Sequence, residues 1–336
     1  MTRVRLADIA AHAGVSEATV SRVLNNVPLV SAGTRERVIG SLDVLGYDRP
    51  FHPRSQRGVV GLIVPELVNP IFPAYAQVLD AALRAQGYTV VLGTQTAGGT
   101  HEDEYTQTLI ERGAAGIVFV SGHHADLNTS LERYRRLPEA GLPAVLVNGF
   151  NPGIRGVPFV SDDDVAAMDI AVRHLTALGH TRIGLAIGQE RYVPVRRKVD
   201  GFRKACETYL DARGACYVEH TVFSVGGGAA AAIRLLPRGV TAIACGSDLM
   251  ALGAIAAART AGLRVPEDVS VVGYDDSVLM AYTDPPLTTL RQDVQGIGSA
   301  AVAALMAQIR GDAVPAGEQL FRPELVIRKS TGPLHA

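Results

Sequence analysis

Residues 8–25 read DIAAHAGVSEATVSRVLN, and this stretch decides the fold of the N-terminal part of the chain. Apolar residues recur at helical spacing over residues 6–13, so they form one face of a short first helix. Gly14 interrupts that helix, and Ser16 is a good N-cap for a second helix that runs to about Leu24. The pattern predicts two short helices joined by a tight turn.

The second helix would present a surface that suits the major groove of DNA. Arg22 can donate two hydrogen bonds to guanine O6 and N7, and Glu17 can accept one from the amino group of cytosine. Nearby hydroxyl and arginine side chains suit phosphate oxygens. A helical hairpin with no DNA role is the alternative. We predict that these residues contact DNA: Leu6, Ser16, Glu17, Ala18, Thr19, Ser21, Arg22, Asn25, Ser31, Thr34, Arg54 and Arg57.

Charge is distributed unevenly along the chain. The 336 residues carry a net charge of −1, yet residues 1–59 contain eight arginines and five acidic residues. A small basic segment on a larger acidic body favours a partner of opposite charge at that end. A hydrophobic content of 47% excludes a disordered chain, and no apolar run approaches the about 18 residues of a membrane helix.

Two features indicate the compartment. The N-terminus has no apolar block after its basic start, so we expect no signal peptide. Cys206, Cys216 and Cys245 show neither a CxxC motif nor metal-binding spacing. We therefore expect buried thiols in a reducing, cytoplasmic environment.

From residue 60 onward, short continuous apolar runs alternate with helical patterns, as in doubly wound α/β folds. Parallel strands buried on both faces have this composition. The predicted strands are Val60–Val64, Tyr88–Leu92, Gly116–Val120, Ala144–Val147, Arg182–Ile187, Ala242–Cys245 and Val269–Gly273. Seven or more strands are too many for one small open sheet. The pattern therefore predicts two α/β lobes with a ligand cleft at the carboxyl ends of their strands.

Together these motifs resemble the LacI/GalR family of bacterial transcriptional repressors. The resemblance starts in residues 8–25 and extends over essentially the whole chain. It is carried further by VSxxTRxxV at 30–38, LGY at 45–47, GLIVP at 61–65, NPIF at 69–72, HLxxLGHxRIG at 174–184, SDxMAxG at 247–253, DVSVVGYDD at 268–276 and PLTTLRQ at 286–292. Two segments, EDEY at 102–105 and PVRRK at 194–198, are most similar to maltose-type regulators of actinobacteria.

This resemblance implies an all-α helix-turn-helix headpiece and a periplasmic-binding-protein-like α/β core of two doubly wound lobes. The implied headpiece covers residues 1–47, and the linker covers 48–59. Core lobe 1 comprises 60–161 plus 292–322, and core lobe 2 comprises 162–291 plus 323–336. A homodimer would bind a pseudo-palindromic operator and would be released by a small sugar effector.

The resemblance also places an effector site in the cleft. An aspartate and an amide suit the hydroxyl groups of a sugar, and a phenylalanine offers an apolar face to its ring. The alternatives are that the aspartates at 275 and 276 only cap a helix, and that the phenylalanine at 72 is ordinary core. The implied effector residues are Asn69, Phe72, Asn148, Lys198, Phe223, Ser247, Asp248, Asp275 and Gln292.

Two positions depart from the family pattern. Lys198 stands where the family often has an arginine, and lysine lacks the bidentate guanidinium fork. The linker is short and has no leucine between Tyr47 and Gly61, whereas the family uses a hinge leucine as a wedge in the minor groove. We expect Arg54 and Arg57 to make electrostatic contacts with DNA in its place.

Other functions have weaker signals. Residues 226–231, GGGAAA, fit the GxGxxA fingerprint of a dinucleotide enzyme, but they lack a secure preceding strand, so a glycine-rich helix entry explains them better. The pair His123-His124 lacks metal-ligand spacing, so we expect a surface loop. A solute-binding protein, or a regulator that responds to a non-sugar metabolite, is the alternative. No catalytic motif stands out, so we expect no enzyme, cofactor or metal.

Overall fold

The computed structural model describes residues 4–24, 30–47, 57–95, 102–211, 214–315 and 317–334. Contacts within the chain divide it into two compact units, Met1–Ser55 and Gln56–Ala336. Two predicted DNA-contacting residues, Asn25 and Arg54, lie outside the described residues, as does most of the predicted linker.

The described part of the first unit consists of three short helices, α1 (Leu6–Ala13), α2 (Glu17–Leu24) and α3 (Ala32–Val44). Gly14 ends α1 in a left-handed conformation with φ of 65°, which glycine adopts without steric cost. The three helices enclose a small core made of Ile9, Ala10, Ala13, Val20, Val23 and Val38. The predicted helix-turn-helix is therefore confirmed.

Within the described residues, the second unit contains two six-stranded sheets. The first sheet is made of β1 (Gly58–Val64), β2 (Tyr88–Thr94), β3 (Gly116–Val120), β4 (Ala144–Val147), β5 (Phe159–Asp162) and β11 (Glu318–Phe321). Their order is β11-β5-β4-β3-β1-β2, and all neighbouring pairs are parallel.

The second sheet repeats this plan with one exception. It is made of β6 (Arg182–Ile187), β7 (Ala215–His220), β8 (Ala242–Cys245), β9 (Ser270–Asp275), β10 (Thr288–Arg291) and β12 (Glu324–Val326). Their order is β12-β10-β9-β8-β6-β7, and only the pair β10–β12 is antiparallel among those described. The seven predicted strands are all present, and β5, β7, β10, β11 and β12 were not predicted.

Helices cover both faces of each sheet, and this confirms the predicted doubly wound α/β fold. The second unit contains α4 (Ile71–Ala85), α5 (Glu102–Glu111), α6 (Glu132–Glu139), α7 (Asp164–Ala177), α8 (Val193–Tyr209), α9 (Val225–Leu235), α10 (Asp248–Thr260) and α11 (Val294–Ile309). On the first sheet, α4 and α11 pack on one face, and α5 and α6 pack on the other. On the second sheet, α7 and α8 lie opposite α9 and α10.

The chain passes between the two lobes after β5, after β10 and after β11, because consecutive elements alternate between sheets at these points. The first crossing places Asp162 at the end of one lobe and Asp164 at the start of the other. No helix in the described ranges is both long enough and apolar enough to cross a membrane.

The cysteines correct one expectation. Cys206, in α8, and Cys216, in β7, form a disulfide with a Cα–Cα separation of 6.5 Å. The prediction of three thiols is therefore wrong for this pair, because a helix and the neighbouring edge strand bring the two side chains together. Cys245 is a buried thiol, as predicted, and burial raises its pKa above the ordinary range.

Candidate functional site

The helix α2 forms the exposed surface that the sequence predicts for DNA. Ser16 caps it by accepting a hydrogen bond from the Thr19 N–H at 3.2 Å. Glu17, Ala18 and Arg22 are exposed, whereas Ser21 is half-buried. Val20 and Val23 face the core of the first unit, so the polar face of α2 points to solvent. The side chains assigned to base contacts are accessible.

The other residues predicted to contact DNA occupy several places. Ser31 caps α3 and bonds to Thr34, while Leu6 is half-buried against the core of the first unit. Arg57 is exposed at the start of the second unit, and its backbone N–H donates to Gly87 at 3.0 Å. The DNA contacts themselves stay predictions.

The second unit contains a cleft of about 410 Å³ that both lobes line at the carboxyl ends of their strands. Three non-glycine residues in its wall have positive φ: Ser121 at 46°, Asn148 at 61° and Asp275 at 119°. Such conformations are unfavourable for side-chain-bearing residues and cluster at functional sites. Geometry and strain both identify this cleft as the candidate binding site.

The cleft brings together eight of the nine implied effector residues. It is lined by Asn69, Phe72, Asn148, Lys198, Phe223, Ser247, Asp275 and Gln292. Asp248 is the correction: it is fully buried and does not line the cleft. Its carboxylate accepts hydrogen bonds from the Ser277 N–H at 2.7 Å and the Thr289 hydroxyl at 2.6 Å. Asp248 therefore holds the strand ends beneath the cleft.

A hydrogen-bond network joins the two lobes across the cleft. Gln292 donates to Asp275 at 2.6 Å and accepts from the Tyr75 hydroxyl at 2.8 Å. Asn69 of the first lobe also donates to Asp275, at 3.4 Å. Burial raises the pKa of Asp275, and the nearby Asp248 raises it further. Asp275 is a cleft residue with contacts to both lobes, and the alternative of a simple helix cap does not describe it.

Lys198 is engaged with the protein. Its ammonium group forms an ion pair with Asp164 and lies 4.1 Å from the centre of the Tyr274 ring. Both charged residues are buried, so the pair is shielded from water. Burial raises the pKa of Asp164, and Lys198 opposes that rise. The ion pair positions Lys198 in the cleft wall.

Sequence reasoning missed several polar residues of the cleft wall, among them Tyr75, Asp162, Asp164 and Tyr274. Tyr75 and Tyr274 matched the apolar pattern of buried elements. Asp162 and Asp164 belong to the acidic run SDDD at 161–164, which is typical of a solvated turn or helix cap. Burial raises the pKa of Asp162 to about 8, mainly by desolvation and then by the neighbouring Asp164.

The His123-His124 pair supports the cleft from behind, so the prediction of a surface loop is wrong for His124. Its ring is fully buried, and Nε2 hydrogen-bonds to the Asn148 carbonyl at 2.5 Å. Burial lowers the pKa of this histidine. The ring packs edge-on against Tyr134, whose hydroxyl donates to the buried Glu102. This cluster holds Asn148 in its strained conformation.

The glycine run at 226–228 is explained by packing. Ser224 caps α9, as the predicted helix entry requires, and accepts from the Gly227 N–H at 3.0 Å. A Cβ atom on Gly228 would lie 2.0 Å from the Met250 carbonyl oxygen, and one on Gly253 would lie 1.9 Å from that of Val225. The glycines allow α9 and α10 to approach closely. No group of three or more possible metal ligands occurs among the described residues.

Comparison with known proteins identifies the family to which both units are similar. Residues 5–49 match the model for bacterial regulatory proteins of the lacI family, and residues 172–331 match that for periplasmic binding protein-like domains. The chain is 56% identical to the HTH-type transcriptional regulator MalR of Streptomyces coelicolor, over 97% of this chain and 96% of that protein.

Two solved structures are similar over nearly the full length. The transcriptional regulator CelR in complex with cellobiose has a TM-score of 0.72 at 30% identity and covers 98% of this chain and 100% of its own. The lac repressor dimer bound to operator and the anti-inducer ONPF has a TM-score of 0.69 at 28% identity, with the same coverage. This chain therefore belongs to the LacI family of bacterial regulatory proteins.

Proposed function

We propose that this chain is a cytoplasmic, sugar-responsive repressor that binds a pseudo-palindromic operator as a homodimer. A small sugar of the maltose type would bind in the cleft and release the operator. The observation that carries this proposal is the combination, in one chain, of an exposed helix-turn-helix surface and a cleft between two lobes that combines apolar surface with polar groups. The relatives are regulators, so we propose that the cleft binds its ligand without catalysing a reaction.

The cleft suits a sugar chemically. Asp275, Gln292 and Asn69 supply carboxylate and amide groups for hydroxyl groups, and Phe72 and Phe223 supply apolar surface. CelR binds cellobiose, and this supports a sugar of similar size for the present chain. The lac repressor binds operator as a dimer, and this supports the same assembly here.

The same geometry accounts for regulation. A ligand that contacts residues of both lobes favours one relative arrangement of the lobes over another. Its effect on operator affinity cannot exceed the difference between its affinities for the two arrangements. Hydrogen bonds such as Asn69–Asp275 and Gln292–Asp275 already cross between lobes, so a ligand would compete with them or reinforce them.

The test begins with duplexes selected from random DNA by the purified full-length chain. Fluorescence anisotropy then compares a selected duplex with a shuffled one for the wild type, Arg22→Ala and Arg37→Ala. Arg22→Ala should abolish the preference for the selected duplex with an unchanged circular dichroism spectrum. Arg37→Ala removes the same charge from the exposed surface of α3 and should keep the preference. An unchanged preference in Arg22→Ala would refute the recognition helix.

The sugar response is measured on the same complex. Maltose added to the wild-type protein on its selected duplex should lower the affinity for DNA. Maltotriose and cellobiose extend the panel to a longer and a differently linked neutral sugar. If none of the three changes operator affinity or the melting temperature, the proposed sugar response is wrong.

A further inference from the structure

The cleft wall contains a buried carboxylate that the protein leaves without a partner. Asp162 is 2% exposed and lines the cleft where the chain crosses from the first lobe to the second. Its backbone N–H donates to the Asn148 side chain at 3.1 Å, which fixes its place. Across the described residues, neither carboxyl oxygen makes a hydrogen bond of normal geometry, and the Tyr274 hydroxyl lies close enough to lower the pKa of Asp162. Buried polar groups are almost always hydrogen-bonded, so this carboxylate requires a specific explanation.

The groups around Asp162 are mostly satisfied. Asp164 is paired with Lys198, and Asp275 accepts from Gln292. The hydroxyl of Tyr274, which lines the same cleft, also has no hydrogen-bond partner among the described residues. Asp162 thus offers two acceptor oxygens, and Tyr274 offers a hydroxyl group that donates and accepts. A ligand with several hydroxyl groups provides the matching donors.

The cleft offers an anion no unpaired cation among its described residues. Four acidic residues line its described wall, Glu66, Asp162, Asp164 and Asp275, against the two cations Arg191 and Lys198. Lys198 is paired with Asp164, and Arg191 lies 3.5 Å from Asp126. A phosphate group usually requires arginine or lysine donors, and here both cations already have an acidic partner.

We propose that Asp162 recognises hydroxyl groups of an uncharged sugar and that the cleft, whose two described cations are both paired, excludes phosphorylated sugars. Because this deepens the proposed function, it requires a sugar site in the cleft. The cost of keeping a buried, unpartnered carboxylate falls on the ligand-free protein, and a bound sugar would remove that cost through its O–H donors. Asp162 is then a specificity-determining residue that lowers the stability of the ligand-free protein and increases its affinity for the sugar.

This trade separates a recognition role from a structural one. Asp162→Asn keeps the shape of the side chain but removes its ionisable group, so it should raise the thermal midpoint of the ligand-free protein at about pH 8. The same change should weaken maltose binding by about tenfold or more, because an amide NH₂ donor replaces a carboxyl oxygen that accepts hydrogen bonds from sugar hydroxyls. If Asp162 had only a structural role, its substitution would change the thermal midpoint but would not both raise the midpoint and weaken maltose binding.

Isothermal titration calorimetry on the full-length chain tests this with maltose and maltose 6′-phosphate as a matched pair. The wild type should bind maltose about tenfold or more tightly than its phosphate. Asp163→Asn is the matched control, since Asp163 caps α7 by accepting from the Ala166 N–H at 2.9 Å and does not line the cleft. Asparagine also caps helices, so this variant should stay within about twofold of the wild type.

The outcomes are distinguishable. Asp162→Asn with wild-type maltose affinity, or tighter binding of maltose 6′-phosphate than of maltose, would overturn the role of Asp162 alone. A wild-type protein that binds neither maltose, maltotriose nor cellobiose would overturn the sugar function and this inference together. In that event the calorimeter records no heat of binding for the wild type with maltose.

Discussion

Replacing Lys198 by methionine should destabilise the second unit strongly. Methionine retains an unbranched stem of similar length but removes the ammonium group from beside Asp164 and the Tyr274 ring. Lys198 is 6% exposed and Asp164 is 5% exposed, so water cannot replace the lost partner. Removing one member of a buried ion pair leaves an uncompensated charge, which costs about 3–5 kcal/mol. We expect a loss of this size in the free energy of unfolding at about pH 8.

The pH dependence of this loss follows from Asp164. Its pKa is already raised by burial, and Lys198 opposes the rise, so the substitution raises the pKa further. As the pH falls, the carboxyl group takes up a proton in the folded state and loses its unfavourable charge. The destabilisation of Lys198→Met should therefore be smaller at about pH 5.5 than at about pH 8.

Urea denaturation followed by circular dichroism measures these free energies for the wild type, both single variants and the double variant Lys198→Met/Asp164→Asn. The double variant contains no buried charge at this site, so it should recover most of the stability lost in Lys198→Met. A single-variant loss below about 1 kcal/mol would refute the reasoning, since a screened surface pair contributes that little. A double-variant loss equal to the sum of the single losses would also refute it.

Three further predictions concern stability. Asp162→Asn should stabilise the protein by about 2–4 kcal/mol at about pH 8 and by less at about pH 5.5. The reason is that the pKa of Asp162 is near 8 in the folded protein and about 4 in the unfolded chain, so the free-energy cost of the carboxyl group grows as the pH rises between these values. Urea denaturation at both pH values measures the difference. Cys206→Ser should lower the free energy of unfolding by about 2–3 kcal/mol under oxidising conditions, because it removes the disulfide that closes a loop with a sequence separation of 10. Added reductant should lower the free energy of unfolding of the wild type to the same level and should leave the variant unchanged. Gly228→Ala should lower the free energy of unfolding by about 2–3 kcal/mol, because the added Cβ would lie 2.0 Å from the Met250 carbonyl oxygen. The control is Gly226→Ala, whose Cβ would have its nearest neighbour 4.0 Å away, so this variant should be neutral or stabilising. Thermal denaturation compares the two variants.

Strands buried on both faces were predictable, and edge strands were not. Strands such as β3 and β8 are continuous apolar runs because helices cover both of their faces. The strands β7, β11 and β12 are only partly buried, so their sequences show neither a continuous apolar run nor a clear alternation. Their pairing is set by the neighbouring strand, which one segment of sequence does not specify.

The candidate site also contains residues that the sequence placed correctly and one that it did not. Asn69, Asn148, Asp275 and Gln292 follow strands or open helices, so a motif reading places them at the cleft. Asp248 belongs to the same motif, SDxMAxG, yet its side chain points beneath the cleft toward Ser277 and Thr289. A motif identifies the position of a residue along the chain, whereas the direction of its side chain depends on what packs around it.

By itself, the sequence determined the helix-turn-helix, the two α/β lobes and the family, because apolar periodicity, caps and turn glycines act over a few neighbouring residues. Only the tertiary structure decided which acidic residues are buried. Asp162 and Asp164 lie in one polar run, yet Asp164 pairs with Lys198 from α8, whereas the carboxyl group of Asp162 makes no hydrogen bond of normal geometry in the described chain. The physical reason is that burial and charge pairing depend on distances between segments far apart in sequence, and folding alone sets those distances.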